Sequence, residues 1–126
     1  MSNYAKLSDL VNINLIKLIH DLNPKFYYIE NPRGGLRKMN FMQNFPRYTV
    51  TYCQYGDTRM KPTDIWTNHP DPQFLPVCKN GMPCHEAAPR GSKTGTQGLK
   101  TAKHRSIIPN LLCDHIVNIS ENKGGL

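Results

Sequence analysis

Residues 23–35 read NPKFYYIENPRGG, and this stretch places a turn, a strand and a loop in direct succession. The Asn-Pro pair ends any preceding helix, because the residue before a proline is driven out of the helical region. The run Phe26–Ile29 is aromatic and β-branched, a pattern typical of a strand buried on both faces of a parallel sheet. Ligands of open α/β sheets bind beyond such strand ends. Glu30, at the end of the strand, is therefore a candidate site residue.

Amphipathic helices are predicted on both sides of this stretch. Residues 7–22, LSDLVNINLIKLIHDL, repeat apolar side chains every three or four positions, and residues 107–119 do the same. Residues 36–45 fit a short helix, while Arg47–Tyr52 and Pro62–Thr67 fit the two strands of a hairpin. This order of elements predicts an α/β fold with few strands and two main helices.

Composition limits the class of protein. A chain of 126 residues is one small domain or part of a larger one. Its 16 Lys and Arg against 9 Asp and Glu give a net charge of +7, which favours an anionic partner, nucleic acid first. Neither a membrane-spanning run nor a secretory signal is evident, so we expect a cytoplasmic protein. Its four cysteines are then thiols or metal ligands rather than disulfides.

A long irregular segment separates the hairpin from the last helix. We divide the chain into a core at 1–68, a Pro- and Gly-rich loop at 69–104 and a helix at 105–126 that packs on the core. Such long loops are usually functional or disordered. Six of the 16 basic residues lie between positions 79 and 105, with a single acid among them. These basic side chains, with Gly, Ser and Thr, suit contact with phosphates. The alternative is a solvated, flexible linker without a binding role.

The same loop carries a candidate zinc site. Zinc prefers four thiolate or imidazole ligands in a tetrahedron, and His69, Cys78, Cys84 and His85 supply that number. Cys53, at the end of a strand, can replace one of them. A bound metal would hold a segment that has no apolar core of its own. The six-residue spacing of the two loop cysteines is not the standard one, so free thiols remain the alternative.

Three segments, in this order, resemble DNA cytosine-5 methyltransferases. FYYIENPRG at 26–34 resembles the family's strand that ends in Glu-Asn before a glycine loop. YCQYGDTRMKPTDIW at 52–66 resembles a Tyr-Gly turn that leads into a basic stretch and a strand, and IIPNLLCDHIV at 107–117 resembles the C-terminal helix. The sequence is also similar to phage and prophage members. The resemblance implies a partial Rossmann-like methyltransferase fold.

The resemblance also implies roles for particular residues. Glu30 matches the glutamate that hydrogen-bonds the flipped cytosine, where an acid can exchange a proton with the ring, and Asn31 would orient the turn. Arg59 and Lys61 lie where the family has a Gln-x-Arg-x-Arg element, but its three positions hold Arg59, Lys61 and Thr63 here, so the second arginine is absent and the first is at best a lysine. The predicted DNA contacts are Arg33, Arg59, Lys61, Arg90, Lys93, Lys100, Lys103 and Arg105.

The motifs that come first in the family's sequences are absent from the stretch before Glu30. A glycine loop for S-adenosylmethionine and a nucleophilic Pro-Cys pair come before the Glu-Asn strand in the family, whereas the 29 residues before Glu30 hold no glycine and no cysteine. Pro83-Cys84 imitates the pair but lies after the strand. We therefore expect a C-terminal part or subunit, inactive alone, that needs an N-terminal partner chain or self-association and uses S-adenosylmethionine only when completed. The alternative is a non-catalytic, zinc-stabilised DNA-binding or interaction module.

Overall fold

The computed structural model describes residues 2–86 and 102–122, in which three strands form one sheet with helices on both faces. The helices are α1 (Asn3–Leu22), α2 (Ala102–Ser106) and α3 (Asn110–Ser120), and the strands are β1 (Tyr28–Pro32), β2 (Arg47–Thr51) and β3 (Pro62–Thr67). The mixed α/β class with two main helices is confirmed. The expected Rossmann-like fold is not confirmed. The described strands form an antiparallel sheet, whereas a Rossmann-like sheet is mostly parallel.

The sheet has the order β1-β3-β2, and β3 pairs antiparallel with both neighbours. The hairpin predicted from residues 47–67 is confirmed as β2 and β3. The parallel sheet with a doubly buried first strand is wrong, since β1 is an edge strand in which Ile29 alone is buried. The rings of the aromatic run are only partly buried. Tyr28 packs against the buried cluster around Ile65 and Tyr27 against the one around Trp66, while Phe26 lies on His69 with ring centroids 4.8 Å apart.

Two small cores lie on opposite faces of the sheet. Neighbouring side chains of a strand point to opposite faces, so Ile65 and Trp66 of β3 enter different cores. The core around Ile65 is covered by α3, which buries Leu112, and the core around Trp66 is partly covered by α1 through Ile16.

Helix α1 confirms the predicted helix and its stop signal. Ser2 caps its first turn, accepting a hydrogen bond from the Ala5 backbone N–H at 3.1 Å, and Asn23 closes it in the left-handed region with φ 45°. None of its residues is buried. Large apolar side chains of the predicted stripe face solvent, namely Leu7, Leu10, Val11, Leu15, Leu18 and Leu22.

Residues 36–45 and 107–119 fold differently in detail from the predicted helices. The first range contains two 3₁₀ helices, Gly35–Lys38 and Asn40–Met42, in place of one short helix. In the second, the last helix begins only at Asn110, because Pro109 precedes it with extended ψ of 136°. Within residues 2–86 and 102–122, none of the helices combines the length and the hydropathy that a membrane span requires.

Candidate active site

Glu30 lies at the edge of the sheet beside a small cavity. β1 places it opposite Ile65 of β3. One carboxylate oxygen, Oε1, accepts a hydrogen bond from the hydroxyl of Tyr52 at 2.7 Å. A cavity of about 250 Å³ opens next to the carboxylate, and its lining residues are Glu30, Pro32, Lys61, Arg105 and Ser106. The cavity brings three of the predicted site residues together.

Tyr52 fixes the Glu30 carboxylate by a hydrogen bond donated from a buried position. It begins a 3₁₀ helix, Tyr52–Tyr55, directly after β2, and its backbone N–H donates to the Met60 carbonyl at 2.8 Å. The ring is fully buried. Burial, and then the hydrogen bond to Glu30, raise the pKa of Tyr52 well above its usual value, so the phenol stays protonated and acts as the donor.

Two cations lie against the same tyrosine ring. The Nζ of Lys61 lies 5.3 Å and the Cζ of Arg59 lies 5.5 Å from the ring centroid of Tyr52. The Lys61 ammonium donates to the carbonyl of Arg105, which brings α2 to the cavity. Burial, and then the charge of Arg59, lower the pKa of Lys61 below its ordinary value. The site thus sets one carboxylate among several positive groups.

Arg59 has a positioning role in this arrangement. Its side chain is only 3% exposed and pairs with the Asp57 carboxylate, with an Nη2 to Oδ2 distance of 2.6 Å. It also donates to the carbonyls of Arg105 and Ile107, both at 2.8 Å. Burial raises the pKa of Asp57, but the hydrogen bonds and charge of Arg59 outweigh it and hold the pKa below its usual range. Arg59 is therefore committed to α2 and to Asp57, rather than to the surface.

The remaining predicted site residues are spread over the surface. Asn31 lies within β1, opposite Asp64 of β3, and donates from Nδ2 to the Pro32 carbonyl at 3.1 Å. Arg33 is exposed, and its backbone N–H donates to the Pro62 carbonyl at 3.0 Å. Lys103 is exposed on α2. Arg90, Lys93 and Lys100 lie outside the described residues.

A second cluster joins three cysteines and one histidine. The ligand atoms of Cys53, Cys78, Cys84 and His85 all lie within 4.8 Å of one another, an arrangement compatible with zinc. His69 does not belong to this cluster. Its Nε2 lies 3.2 Å from the Ile119 carbonyl, and its ring packs on Phe26.

The fourth member of the cluster is Cys53 and not the predicted His69. The predicted hairpin already put Cys53 at the end of a strand, but its distance of 25 residues from Cys78 hid the pairing. The structure also places Cys84 in this cluster rather than among the residues that line the Glu30 cavity. In the described part of the chain, the cavity therefore holds no cysteine nucleophile.

Comparison with known proteins gives one partial likeness. The chain is 37% identical over 54 residues, or 42% of its length, to a protein of Frog virus 3 (isolate Goorha) named "Probable DNA (cytosine-5)-methyltransferase". The matched part spans about a quarter (25%) of that relative's length. No family model matches the chain, and no solved structure matches it significantly. The likeness supports a relationship to cytosine-5 DNA methyltransferases, and it gives no support to a phage origin.

Proposed function

We propose that this chain is the part of a DNA cytosine-5 methyltransferase that receives the target base, with Glu30 as the residue that contacts the cytosine. The observation that carries the proposal is the hydrogen-bonded Glu30 carboxylate at the mouth of a cavity lined by Lys61 and Arg105. The partial likeness to the Frog virus 3 protein supports the same assignment.

The chemistry of the cavity suits one nucleotide. Its volume of about 250 Å³ is smaller than the roughly 300–1,000 Å³ of sites for drug-sized ligands, which fits a single base better than a larger cofactor. Glu30 can accept a hydrogen bond from an exocyclic amine or share a proton with a ring nitrogen. Lys61 and Arg105 can attract the phosphate. Tyr52, kept protonated, fixes the carboxylate for this contact.

Titration of deoxycytidine monophosphate into the isotope-labelled chain tests the base contact. We expect saturable amide shifts at Glu30, Lys61 and Arg105, because these residues line the cavity. Glu30→Gln should abolish saturable binding of the nucleotide. The amide oxygen of the glutamine can still accept the hydrogen bond from Tyr52, so the fold is preserved. Thymidine monophosphate is the matched ligand, since it presents an oxygen where cytosine presents an amine. Equal binding of both nucleotides, or binding unchanged by Glu30→Gln, would contradict the proposal.

Methyl transfer requires groups that residues 1–29 do not supply. These residues contain neither a glycine for a cofactor loop nor a cysteine nucleophile, and the cavity is lined by no cysteine of the described chain. S-adenosylmethionine would then bind only with a second segment that provides both groups. We expect no transfer of a labelled methyl group to DNA by these 126 residues alone. Transfer by the purified chain would overturn this part of the proposal.

The exposed stripe of α1 supports a partner for the chain. Leu7, Val11 and Leu18 are 61%, 61% and 52% exposed on a helix with no buried residue. Contiguous apolar surface of this kind marks interaction sites. The occupant that fits the proposed function is the N-terminal part of the same methyltransferase fold. A self-associated chain would show instead as a concentration-dependent mass in sedimentation.

A non-catalytic DNA-binding or interaction module is the second candidate, favoured by the cysteine-histidine cluster. Such a module would use the cluster to keep its loop folded and its basic residues to contact phosphates. Duplex DNA would then bind with the same affinity after Glu30→Gln. The nucleotide titration separates the two candidates, because the module would not distinguish cytosine from thymine at the cavity.

A further inference from the structure

We propose that Cys53, Cys78, Cys84 and His85 bind one zinc ion that fastens segment 78–86 to the 3₁₀ helix that follows β2. The site is a Cys₃His set, and its role is structural. The inference does not depend on the Glu30 cavity or on methyl transfer.

The spacing of the ligand atoms fits one tetrahedral ion. Zinc–sulfur bonds of about 2.3 Å and zinc–nitrogen bonds of about 2.0 Å put neighbouring ligand atoms about 3.3–3.8 Å apart in a tetrahedron. The sulfurs of Cys53 and Cys84 are 3.5 Å apart. The Nδ1 of His85 lies 3.4 Å from the sulfur of Cys78 and 3.5 Å from that of Cys84. Three of the six edges thus have the length that a bound zinc ion would impose.

The structure pairs Cys78 and Cys84 as a disulfide, but their Cα atoms lie further apart than a disulfide usually holds them. Their Cα atoms stand 7.4 Å apart, whereas disulfides usually hold Cα atoms at about 4.4–6.8 Å. Two thiolates on one ion are about 3.7 Å apart, which permits the wider backbone spacing. A metal therefore suits this pair better than a covalent bond, in a cluster that offers two further ligands.

A tight turn presents the loop ligands. The Met82 backbone N–H donates to the Lys79 carbonyl at 3.2 Å, and Gly81 has φ 85°, a combination typical of a type II turn. This turn folds the chain back so that Cys84 and His85 face Cys78. Because Gly81 takes a positive φ, a side chain there would strain the turn.

Backbone hydrogen bonds fix both ends of the loop on the body of the protein. The Cys78 N–H donates to the Thr51 hydroxyl at 2.8 Å, and the Glu86 N–H donates to the Thr58 carbonyl at 2.8 Å. Apolar packing of this loop is sparse, since Met82 within it is 42% exposed and Val77 just before it is 48% exposed. Metal ligation can supply the folding free energy that burial does not provide here.

The ligand chemistry and burial favour zinc in a closed site. Three soft sulfurs and one imidazole nitrogen are a zinc set, whereas magnesium and calcium require oxygens. Cys53 and Cys78 are buried and the other two ligands are half-buried, so the set surrounds the ion. Four protein ligands leave no open position for a water molecule, which is the mark of a structural rather than a catalytic zinc.

Metal analysis of the full chain, purified under reducing conditions, tests the proposal directly. We expect one zinc per chain, with X-ray absorption fitted by three sulfurs at about 2.3 Å and one nitrogen at about 2.0 Å. Cobalt(II) added to the metal-free chain should give the charge-transfer and d–d absorption of tetrahedral thiolate cobalt, and zinc should displace it. A chain without stoichiometric metal, or a site with fewer than three sulfurs, would overturn the proposal.

Matched variants separate the structural ligand set from the one that the sequence favoured. Cys53→Ser should weaken zinc binding at least tenfold, whereas Cys113→Ser, at an exposed cysteine of α3, should leave it unchanged. His69→Asn should also retain zinc. Loss of zinc in His69→Asn together with its retention in Cys53→Ser would overturn the assignment. The absorption spectrum of the cobalt-loaded wild-type chain decides the ligand set if a variant fails to fold.

Thiol counting distinguishes the metal site from a disulfide. After removal of the metal, denatured and unreduced protein should react with a thiol reagent at all four cysteines of the chain. Two reactive thiols in freshly isolated protein would show that Cys78 and Cys84 are disulfide-bonded, and would overturn the proposal.

Discussion

The Glu30–Tyr52 pair is the residue-scale feature on which the candidate active site depends. A buried phenol donates to a half-buried carboxylate at 2.7 Å, and Lys61 and Arg59 lie over the phenol ring. Hydrogen bonds to a charged acceptor contribute about 1.5–3 kcal/mol, so the pair is both a stabilising contact and a way to orient Glu30.

Tyr52 should make the stability of the protein sensitive to alkaline pH. Its folded-state pKa is raised above the unfolded value of about 10, so its contribution is fully present below pH about 10 and is lost as pH rises beyond that value. Urea unfolding at rising pH should therefore show a falling free energy of unfolding, and Tyr52→Phe should flatten the fall. Tyrosinate absorbance in the folded state provides a second measurement.

The comparison with Tyr52→Phe is needed because Lys61 acts in the opposite direction. Its lowered pKa favours folding as pH rises toward the unfolded value of about 10.4, and this contribution is common to wild type and variant. Tyr4→Phe, at a tyrosine that is 84% exposed, is the matched control. Equal pH dependence in wild type and Tyr52→Phe would show that Tyr52 does not retain its proton as described.

At the scale of elements, Arg59 attaches α2 to the sheet. One buried guanidinium is neutralised by Asp57 and donates to carbonyls at the end of α2 and beyond it. A five-residue helix cannot be stable alone, because isolated helices need about 12–15 residues. The position of Arg105 at the cavity therefore depends on a residue that does not line the cavity.

Arg59→Met should release α2. We expect faster hydrogen exchange at residues 103–106 and a loss of roughly 3 kcal/mol of unfolding free energy, at the lower end of the range for a broken buried pair because Asp57 is partly exposed. Arg33→Met, at an exposed arginine, is the control and should change neither quantity. Unaltered exchange in α2 of Arg59→Met would show that the helix is held by other contacts.

The two faces of α1 should respond differently to substitution. Leu18 is 52% exposed, so Leu18→Glu should change the unfolding free energy by less than about 0.5 kcal/mol while reducing any self-association seen in sedimentation. Ile19 packs against the core around Trp66 but is only half-buried, so Ile19→Ala should cost about 1–2 kcal/mol, below the roughly 2–5 kcal/mol of a fully buried site. Strong destabilisation by Leu18→Glu would show that this face is covered within the chain.

At the scale of the whole molecule, local patterns predicted the elements better than their arrangement. The helical periodicity and the Asn-Pro stop located α1, and β-branched runs located β2 and β3, because these signals are encoded within a few residues. The pairing direction of β1 was predicted wrongly, since the aromatic run that suggested a fully buried parallel strand lies in and beside an antiparallel edge strand, with its rings only partly buried. Sheet order depends on contacts between distant segments, which a single sequence does not encode locally.

The residues of the candidate active site likewise include some that the sequence identifies and some that it hides. Glu30 was identifiable from its place at a strand end, and Lys61 and Arg105 from their charge. Tyr52 gave no such signal, since a buried tyrosine in a hairpin is ordinarily a packing residue, and its bond to Glu30 spans 22 positions. The burial of Arg59 was equally hidden, because burial of a charge requires a partner and Asp57 becomes one only through the turn between them.

The net charge of +7 should make DNA binding strongly dependent on salt, and this dependence can be assigned to surface residues. Each phosphate neutralised contributes a slope of about −0.9 in log K against log salt. Arg33→Ala and Lys103→Ala, at exposed basic residues, should each make the slope less steep by about 0.9.

Arg59→Lys, which preserves charge at a 3% exposed position, should leave the slope unchanged even if it weakens the fold. Fluorescence anisotropy at several salt concentrations measures these slopes. A slope near zero for the wild-type chain would exclude phosphate contact, and slopes unchanged in both Arg33→Ala and Lys103→Ala would exclude these two residues from it.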